Sequence, residues 1–165
     1  MKIRPKLKPE LSTPDKILEI SGWATLAFLW VFTLFIYSNL PEIIPIHFDA
    51  SGQANVYENK LNIMFLPVIV TLVFIGLTVL NQYPHIFNYP TRITPENAIR
   101  QYRNATGMIR FLKFIIPIIG CLVILMITLT VADKSAGISV WLQPLILGLI
   151  LIPMAYFTVK AFRIK

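Results

Sequence analysis

The chain has 165 residues, of which 56% are hydrophobic and only 14% are charged. A typical soluble domain is about half apolar and about one quarter charged, so the shortage of charge is the informative difference. It excludes a disordered chain, which needs many charges and few apolar residues, and it argues against a soluble enzyme. The net charge of +7 suits either a nucleic acid or an anionic membrane surface, and the positions of the charges decide between them.

Four uncharged apolar runs dominate the sequence. About 20 apolar residues are needed to carry an α-helix across the roughly 30 Å of hydrocarbon in a bilayer. The runs cover residues 20–39, 61–80, 114–132 and 137–159, and none contains Asp, Glu, Lys, Arg or His. A chain this short has no outer layer that could bury four such helices. We therefore predict an all-α membrane protein formed by residues 1–165, with four transmembrane helices in the bilayer.

The basic residues lie on one side of this predicted arrangement. All but two of the 15 lysines and arginines precede the first run, separate the second and third, start the third, or follow the fourth. Only Lys60 and Lys134 fall in the other connections. The positive-inside rule then places both termini in the cytoplasm and the loop 40–60 outside. Topology accounts for the positive charge, so we expect no nucleic-acid partner.

Two short motifs predict helix starts on the cytoplasmic side. They are Thr13-Pro14-Asp15 and Thr94-Pro95-Glu96, in which Thr caps the helix, Pro occupies the first turn and the acid complements the helix dipole. Each is expected to open a helical extension that leads into a membrane span.

The loop 40–60 differs from a neutral linker. Pro41 and Pro45 each restrict φ and favour an extended predecessor. Alternation then places Ile44, Ile46 and Phe48 on one face, towards the helices, and His47 and Asp49 on the other. Asp49 to Gly52 has turn chemistry, and Lys60 closes the loop. We expect a structured outer loop whose binding residues are Pro41, Pro45, His47, Asp49, Gly52 and Lys60.

The pattern L-P-x-x-I-P-x-H-F-(x)3-G, followed by a lysine before the next run, resembles the N-terminal membrane domain of SdpI-type bacterial immunity proteins. The residues that carry the resemblance are Leu40, Pro41, Ile44, Pro45, His47, Phe48, Gly52 and Lys60. The core signature covers about 45 residues, and the segment 81–101 also looks like that wider group. SdpI-type proteins add a further membrane-spanning C-terminal half. The resemblance implies a protein of the bacterial cytoplasmic (inner) membrane with an immunity-like role, in which the loop meets a toxin peptide.

Several hypotheses for His47 stay open. It could pair with Asp49 and set the loop shape, sense protons, or bind a metal with Glu42 or Glu58. We favour the pair, and we expect no metal and no cofactor. Cys121, the single cysteine, cannot form a disulfide within the chain.

The sequence predicts a non-enzymatic membrane protein, because it contains no nucleotide-binding or hydrolase motif. No ionisable residue lies within the four runs, which argues against a transporter. The outer loop would recognise a toxin peptide or a membrane protein partner, and a homo-oligomer is equally open. The alternative is a membrane enzyme or permease accessory subunit that uses His47 and Asp49 together with a partner chain.

Overall fold

The computed structural model describes residues 4–49, 51–132 and 138–164. Four helices dominate it: α1 (Thr13–Tyr37), α2 (Phe65–Leu80), α3 (Ala98–Val131) and α4 (Ile138–Arg163). All four are long and apolar enough to cross a membrane, α2 together with the short 3₁₀ turn Lys60–Met64 that precedes it. The prediction of four apolar helices is confirmed. The short connection between the third and fourth apolar runs, residues 133–136 with Lys134, lies outside the described residues.

The connection between α1 and α2 is not helical. It forms a β-hairpin of strands β1 (Ile43–Phe48) and β2 (Ala54–Asn59), which pair in antiparallel orientation. The prediction of an all-α fold was therefore wrong in this segment. Two prolines and several β-branched residues disfavour a helix here, and pairing the two extended segments satisfies backbone groups that a single strand would leave open.

Two helices begin well before the apolar runs that predicted them. Ser12, and not Thr13, caps α1: its hydroxyl accepts from the Asp15 amide at 3.4 Å, and the Asp15 carboxylate accepts from the Ser12 amide at 2.9 Å. The helix α3 begins at Ala98, so Asn97, and not the predicted Thr94, occupies its cap position. Thr94 and Asn97 exchange side-chain to backbone bonds at 2.9 and 3.4 Å in the turn before it. The 34 residues of α3 span about 51 Å, more than a bilayer core, so one end extends beyond the apolar layer.

The helix α3 lies at the centre of the bundle and packs against the other three helices. The buried apolar core joins α1, α2, α3 and the base of the hairpin, and it includes Leu29, Ile44, Phe74 and Ile124. Many large apolar side chains face outward instead, on every helix. In water such surfaces would promote association, whereas lipid chains cover them without cost, which agrees with a multi-pass membrane protein.

The bundle has two distinct ends. The hairpin end carries β1 and β2. The terminal end carries residues 4–12, the connection 81–97 and the last turn of α4, which hydrogen bonds tie together. Tyr102 Oη donates to the Pro5 carbonyl at 3.1 Å, and Gln101 Nε2 donates to the Ala161 carbonyl at 2.9 Å.

Candidate functional site

All six residues predicted to bind lie in the hairpin or directly beside it. Pro45 and His47 are in β1, Asp49 and Gly52 are in the turn, and Pro41 and Lys60 flank the two strands. The register of the hairpin pairs Ile43 with Asn59 and Phe48 with Ala54. Two irregularities interrupt the pairing between Pro45 and Phe48, on either side of His47. Pro45 lacks an amide hydrogen, so a local break in the ladder is the expected consequence.

The break alters the predicted alternation of faces. Ile44 is fully buried and Phe48 packs against the core, as expected for residues that hold the hairpin on the helices. Ile46, which was predicted to lie on the same inner face, is exposed, and Pro45 is buried in its place. The bulge therefore shifts the middle of β1 out of the simple period-two pattern.

His47 does not pair with Asp49. Its Nδ1 atom lies 2.6 Å from Oδ1 of Asn55 on the opposite strand, and His47 is the donor when Nδ1 carries the proton. The favoured hypothesis of a His47–Asp49 hydrogen bond was therefore wrong. The strand pairing brings an amide to the imidazole across the hairpin, whereas Asp49 lies beyond the end of β1.

Asp49 organises the turn at the tip. Its Oδ1 atom accepts from the Ser51 hydroxyl at 2.7 Å and from the amides of Ser51 and Gln53 at 2.9 Å each. The hydroxyl of Ser51, followed by the Gln53 amide, holds the pKa of Asp49 below its usual value, because these donors favour the ionised carboxylate. Gly52 has φ of 76°, a left-handed conformation that other residues adopt only with strain.

Lys60 fixes the base of the hairpin to the bundle. Its ammonium donates to the Leu40 carbonyl at 3.3 Å, pairs with Glu42 at 3.0 Å and lies 5.3 Å from the centre of the Tyr37 ring. The Lys60 amide also donates to the Glu42 carbonyl at 2.9 Å. Pro41 lies exposed between these anchors. The two chain ends of the hairpin are therefore clamped together.

The tip is held as well. Gln143, in the first turns of α4, donates from Nε2 to the Asp49 carbonyl at 3.0 Å. The hairpin is thus attached at its base to α1 and at its tip to α4, while β2 between them is exposed apart from Ala54.

A second polar cluster lies at the terminal end, between α1 and α3. Arg110 Nη1 lies 3.1 Å from Asp15 Oδ1, and Lys113 donates to the carboxylate of Glu19. Lys113 is only 1% exposed, and its ammonium lies 4.6 Å from the centre of the Phe74 ring. Buried charges persist only when they are paired, and each cation here has an acidic partner.

No sequence motif predicted this cluster. Phe74 lies inside the predicted apolar run 61–80, about 9 Å along the axis from the end of α2, so the Lys113 ammonium contacts a side chain of that run. The four apolar runs themselves contain no charged residue, and the cluster lies in the parts of α1 and α3 that extend beyond their runs. A signal was present: Asp15 and Glu19 are four residues apart, and Arg110 and Lys113 are three apart, which places each pair on one helix face.

Metal ligation has little support from the geometry. Among residues 4–49, 51–132 and 138–164, no group of three or more His, Cys, Asp or Glu side chains is arranged to hold a metal ion. His47 and His85 lie at opposite ends of the bundle, His47 in β1 and His85 in the connection after α2.

One family model matches the part of the chain that contains the hairpin. Residues 24–71 match the model of a domain of unknown function (DUF1648), and this range includes all six predicted binding residues. The chain is also similar to an uncharacterized protein of Archaeoglobus fulgidus, with 27% identity over 111 residues. The similar segment covers 62% of this chain and 61% of that protein. No solved structure matches the chain significantly.

Proposed function

We propose that this chain is a non-enzymatic integral membrane protein whose hairpin recognises an extended peptide or a protein partner outside the bacterial cytoplasmic membrane. The observation that carries the proposal is the free edge of β2. Within the described residues β2 pairs with β1 alone, so its other edge presents unpaired backbone donors and acceptors. An extended peptide can add to such an edge as a further strand.

The two strands differ in how well they are protected from such pairing. β1 lies against α3 and contains Pro45 and the bulge, features that disfavour pairing of an edge. β2 contains no proline, and its only ionised side chain is Glu58. Val56 and Tyr57 are exposed, Tyr57 by 58%. These side chains would provide apolar contacts to an added strand, while the backbone would provide its hydrogen bonds.

The attachment of the hairpin to the helices favours binding, because the strand is already ordered before a partner arrives. Lys60 clamps the base and Gln143 holds the tip, so β2 is presented in one conformation. A preorganised surface loses less conformational entropy on binding than a mobile loop does.

The orientation belongs to the proposal. Among the described residues Lys60 is the only lysine or arginine at the hairpin end, and all the others lie at or near the terminal end. The positive-inside rule therefore supports cytoplasmic termini and an external hairpin. The resemblance to SdpI-type immunity proteins supports a toxin peptide as partner. The alternative of an enzyme or permease subunit that uses His47 with Asp49 finds no support in their separate hydrogen bonds.

Orientation can be tested by cysteine labelling in a Cys121→Ser background. Asn55→Cys places a thiol on exposed β2, and Asn88→Cys places one on the exposed connection at the terminal end. We expect a membrane-impermeant maleimide to label position 55 in intact cells and position 88 only after lysis. The reverse result would contradict the proposed topology.

Recognition can be tested by photo-crosslinking in the native membrane. Benzoylphenylalanine at Tyr57 should yield a crosslinked product of defined mass, whereas the same group at exposed Tyr156 on α4 should not. Val56→Lys should remove the product because a charge on an edge strand opposes pairing. Gln53→Lys, in the exposed turn, is the matched control and should leave it intact. Equal products from both positions, or no effect of Val56→Lys, would reject the hairpin as the recognition element.

A further inference from the structure

A polar cavity of about 260 Å³ lies at the terminal end, beside the ionic cluster. It is lined by residues of α1, α3, the end of α2 and the segment that precedes α1, and it is open on one side. The polar residues that line it include Lys8, Glu19, Asn81, Thr106, Arg110 and Lys113. The rim contains exposed residues, among them Lys8 and Gln82, so the cavity is accessible from the terminal end.

Two buried polar atoms at this cavity have no hydrogen-bond partner. The Arg110 side chain is only 9% exposed, and although its Nη1 contacts Asp15, its Nε lies 3.7 Å from the nearest Glu19 oxygen. Oδ1 of Asn81 is the second. Buried donors and acceptors are almost always satisfied in folded proteins, so an unpaired donor and acceptor around one cavity point to a ligand.

The charges around the cavity are unbalanced. Lys8, Arg110 and Lys113 contribute three positive charges, whereas Glu19 and the adjacent Asp15 contribute two negative charges. The surplus is one positive charge, on Lys8 at the exposed rim of the cavity. A monoanion would neutralise it.

The position of the cavity favours a phosphate-bearing anion. Thr78 and Asn81 of its lining are at the end of α2, where an apolar helix leaves the hydrocarbon and lipid head groups begin. Guanidinium groups bind phosphate oxygens well because their N–H groups match the oxygen geometry. Basic pockets between membrane helices are known to hold phospholipid head groups.

We infer that this cavity binds the phosphate group of an anion that also carries a hydroxyl donor, such as the monoanionic head group of phosphatidylglycerol or a soluble glycerol phosphate. The phosphate oxygens accept hydrogen bonds from Arg110 Nε and from the Lys8 ammonium, and a hydroxyl of the ligand donates to Asn81 Oδ1. This site lies at the opposite end of the bundle from the hairpin and does not depend on the function proposed for it.

The test uses the full chain purified in detergent, titrated with short-chain phosphatidylglycerol and measured by native mass spectrometry. Short-chain phosphatidylcholine and free glycerol phosphate form the comparison arms. We expect phosphatidylglycerol to bind at least about tenfold more tightly than phosphatidylcholine, a difference of about 1.4 kcal/mol. Tight binding of glycerol phosphate alone would assign the site to the soluble anion. Binding of neither anion above the level of phosphatidylcholine would overturn the inference.

Substitutions of the lining residues test whether the anion binds in this cavity. Asn81→Asp adds a negative charge to the buried part of the lining, and Lys8→Gln removes a positive charge from the rim. Neither change breaks the ion pairs of the cluster. Both should weaken binding of the anion, Asn81→Asp by about tenfold. Arg110→Lys keeps a charge for Asp15 but lacks Nε, and it should weaken binding as well. Lys16→Gln is the control, because Lys16 is exposed on α1 and does not line the cavity. Equal affinity of Asn81→Asp and Lys16→Gln would place the anion elsewhere.

Discussion

Asp15 and Arg110, separated by 95 positions in the sequence, form a buried ion pair that joins the start of α1 to α3. Each side chain is about one tenth exposed, so water solvates neither charge well. Removal of one partner from a buried pair leaves the other charge uncompensated, which is far more costly than loss of a surface pair.

Asp15→Asn should therefore lower the free energy of unfolding by about 3–5 kcal/mol. Thermal unfolding in detergent, followed by circular dichroism, measures the change. Glu10→Gln, at an exposed position nearby, is the matched control and should stay within about 0.5 kcal/mol of the parent. Arg110→Gln added to Asp15→Asn should recover part of the loss, because no buried charge is then unpaired. A double variant less stable than Asp15→Asn alone would argue against the ion pair.

A pair of glycines offers a test of the helix packing. A Cβ atom at Gly120 would lie 3.1 Å from Cδ2 of Leu29, which is fully buried and cannot move away freely. We expect Gly120→Ala to destabilise the bundle by about 1–3 kcal/mol. At Gly76 no atom lies within 4 Å of the added Cβ, and Gly76→Ala should stabilise α2 by up to about 1 kcal/mol. Equal thermal stability of the two variants would contradict the close approach of α1 and α3.

Two lysines that lie over tyrosine rings should contribute differently to the stability of the chain. Lys60 is 19% exposed and donates to the Leu40 carbonyl, whereas Lys160 is exposed and lies 5.9 Å from the Tyr156 ring centre. Lys60→Met should cost about 1–2 kcal/mol, mainly through the lost hydrogen bond, because Glu42 is 75% exposed and its ion pair contributes little. Lys160→Met should cost less than about 0.5 kcal/mol. Chemical denaturation of both variants checks this difference, and the opposite ranking would exclude Lys60 as the clamp.

The turn at the hairpin tip should weaken in acid. The pKa of Asp49 is lowered in the folded chain, chiefly by the Ser51 hydroxyl, so the stabilisation it provides is present above the unfolded pKa near 3.8. That stabilisation is lost as the pH falls through the folded pKa. Amide hydrogen exchange at Ser51 and Gln53, corrected for intrinsic rates, should therefore show protection that decreases with acid in the parent chain.

Asp49→Asn is the control for this pH dependence. The amide side chain accepts hydrogen bonds but does not titrate, so protection should be lower at neutral pH and independent of acid. If the parent and Asp49→Asn lose protection over the same pH range, another group governs the turn.

Local patterns predicted most of the architecture. The four uncharged runs were sufficient to predict four helices, because the length and polarity needed to cross a bilayer are properties of a short segment. The prolines around Ile44 predicted extended backbone in the loop, and the buried side chain of Ile44 agrees with its predicted inward orientation. Those features depend on residues close together in the chain.

Tertiary structure decided the features that depend on distant residues. The choice of Asn55 as partner for His47 required the hairpin register, and the bulge that moved Ile46 outward arose from pairing with β2. The ion pairs of Asp15 and Arg110 required α1 and α3 to pack side by side over their extended ends. A sequence pattern shows which residues share a helix face or a strand. Only the packed chain determines which two faces meet, because that choice minimises the free energy of the whole bundle.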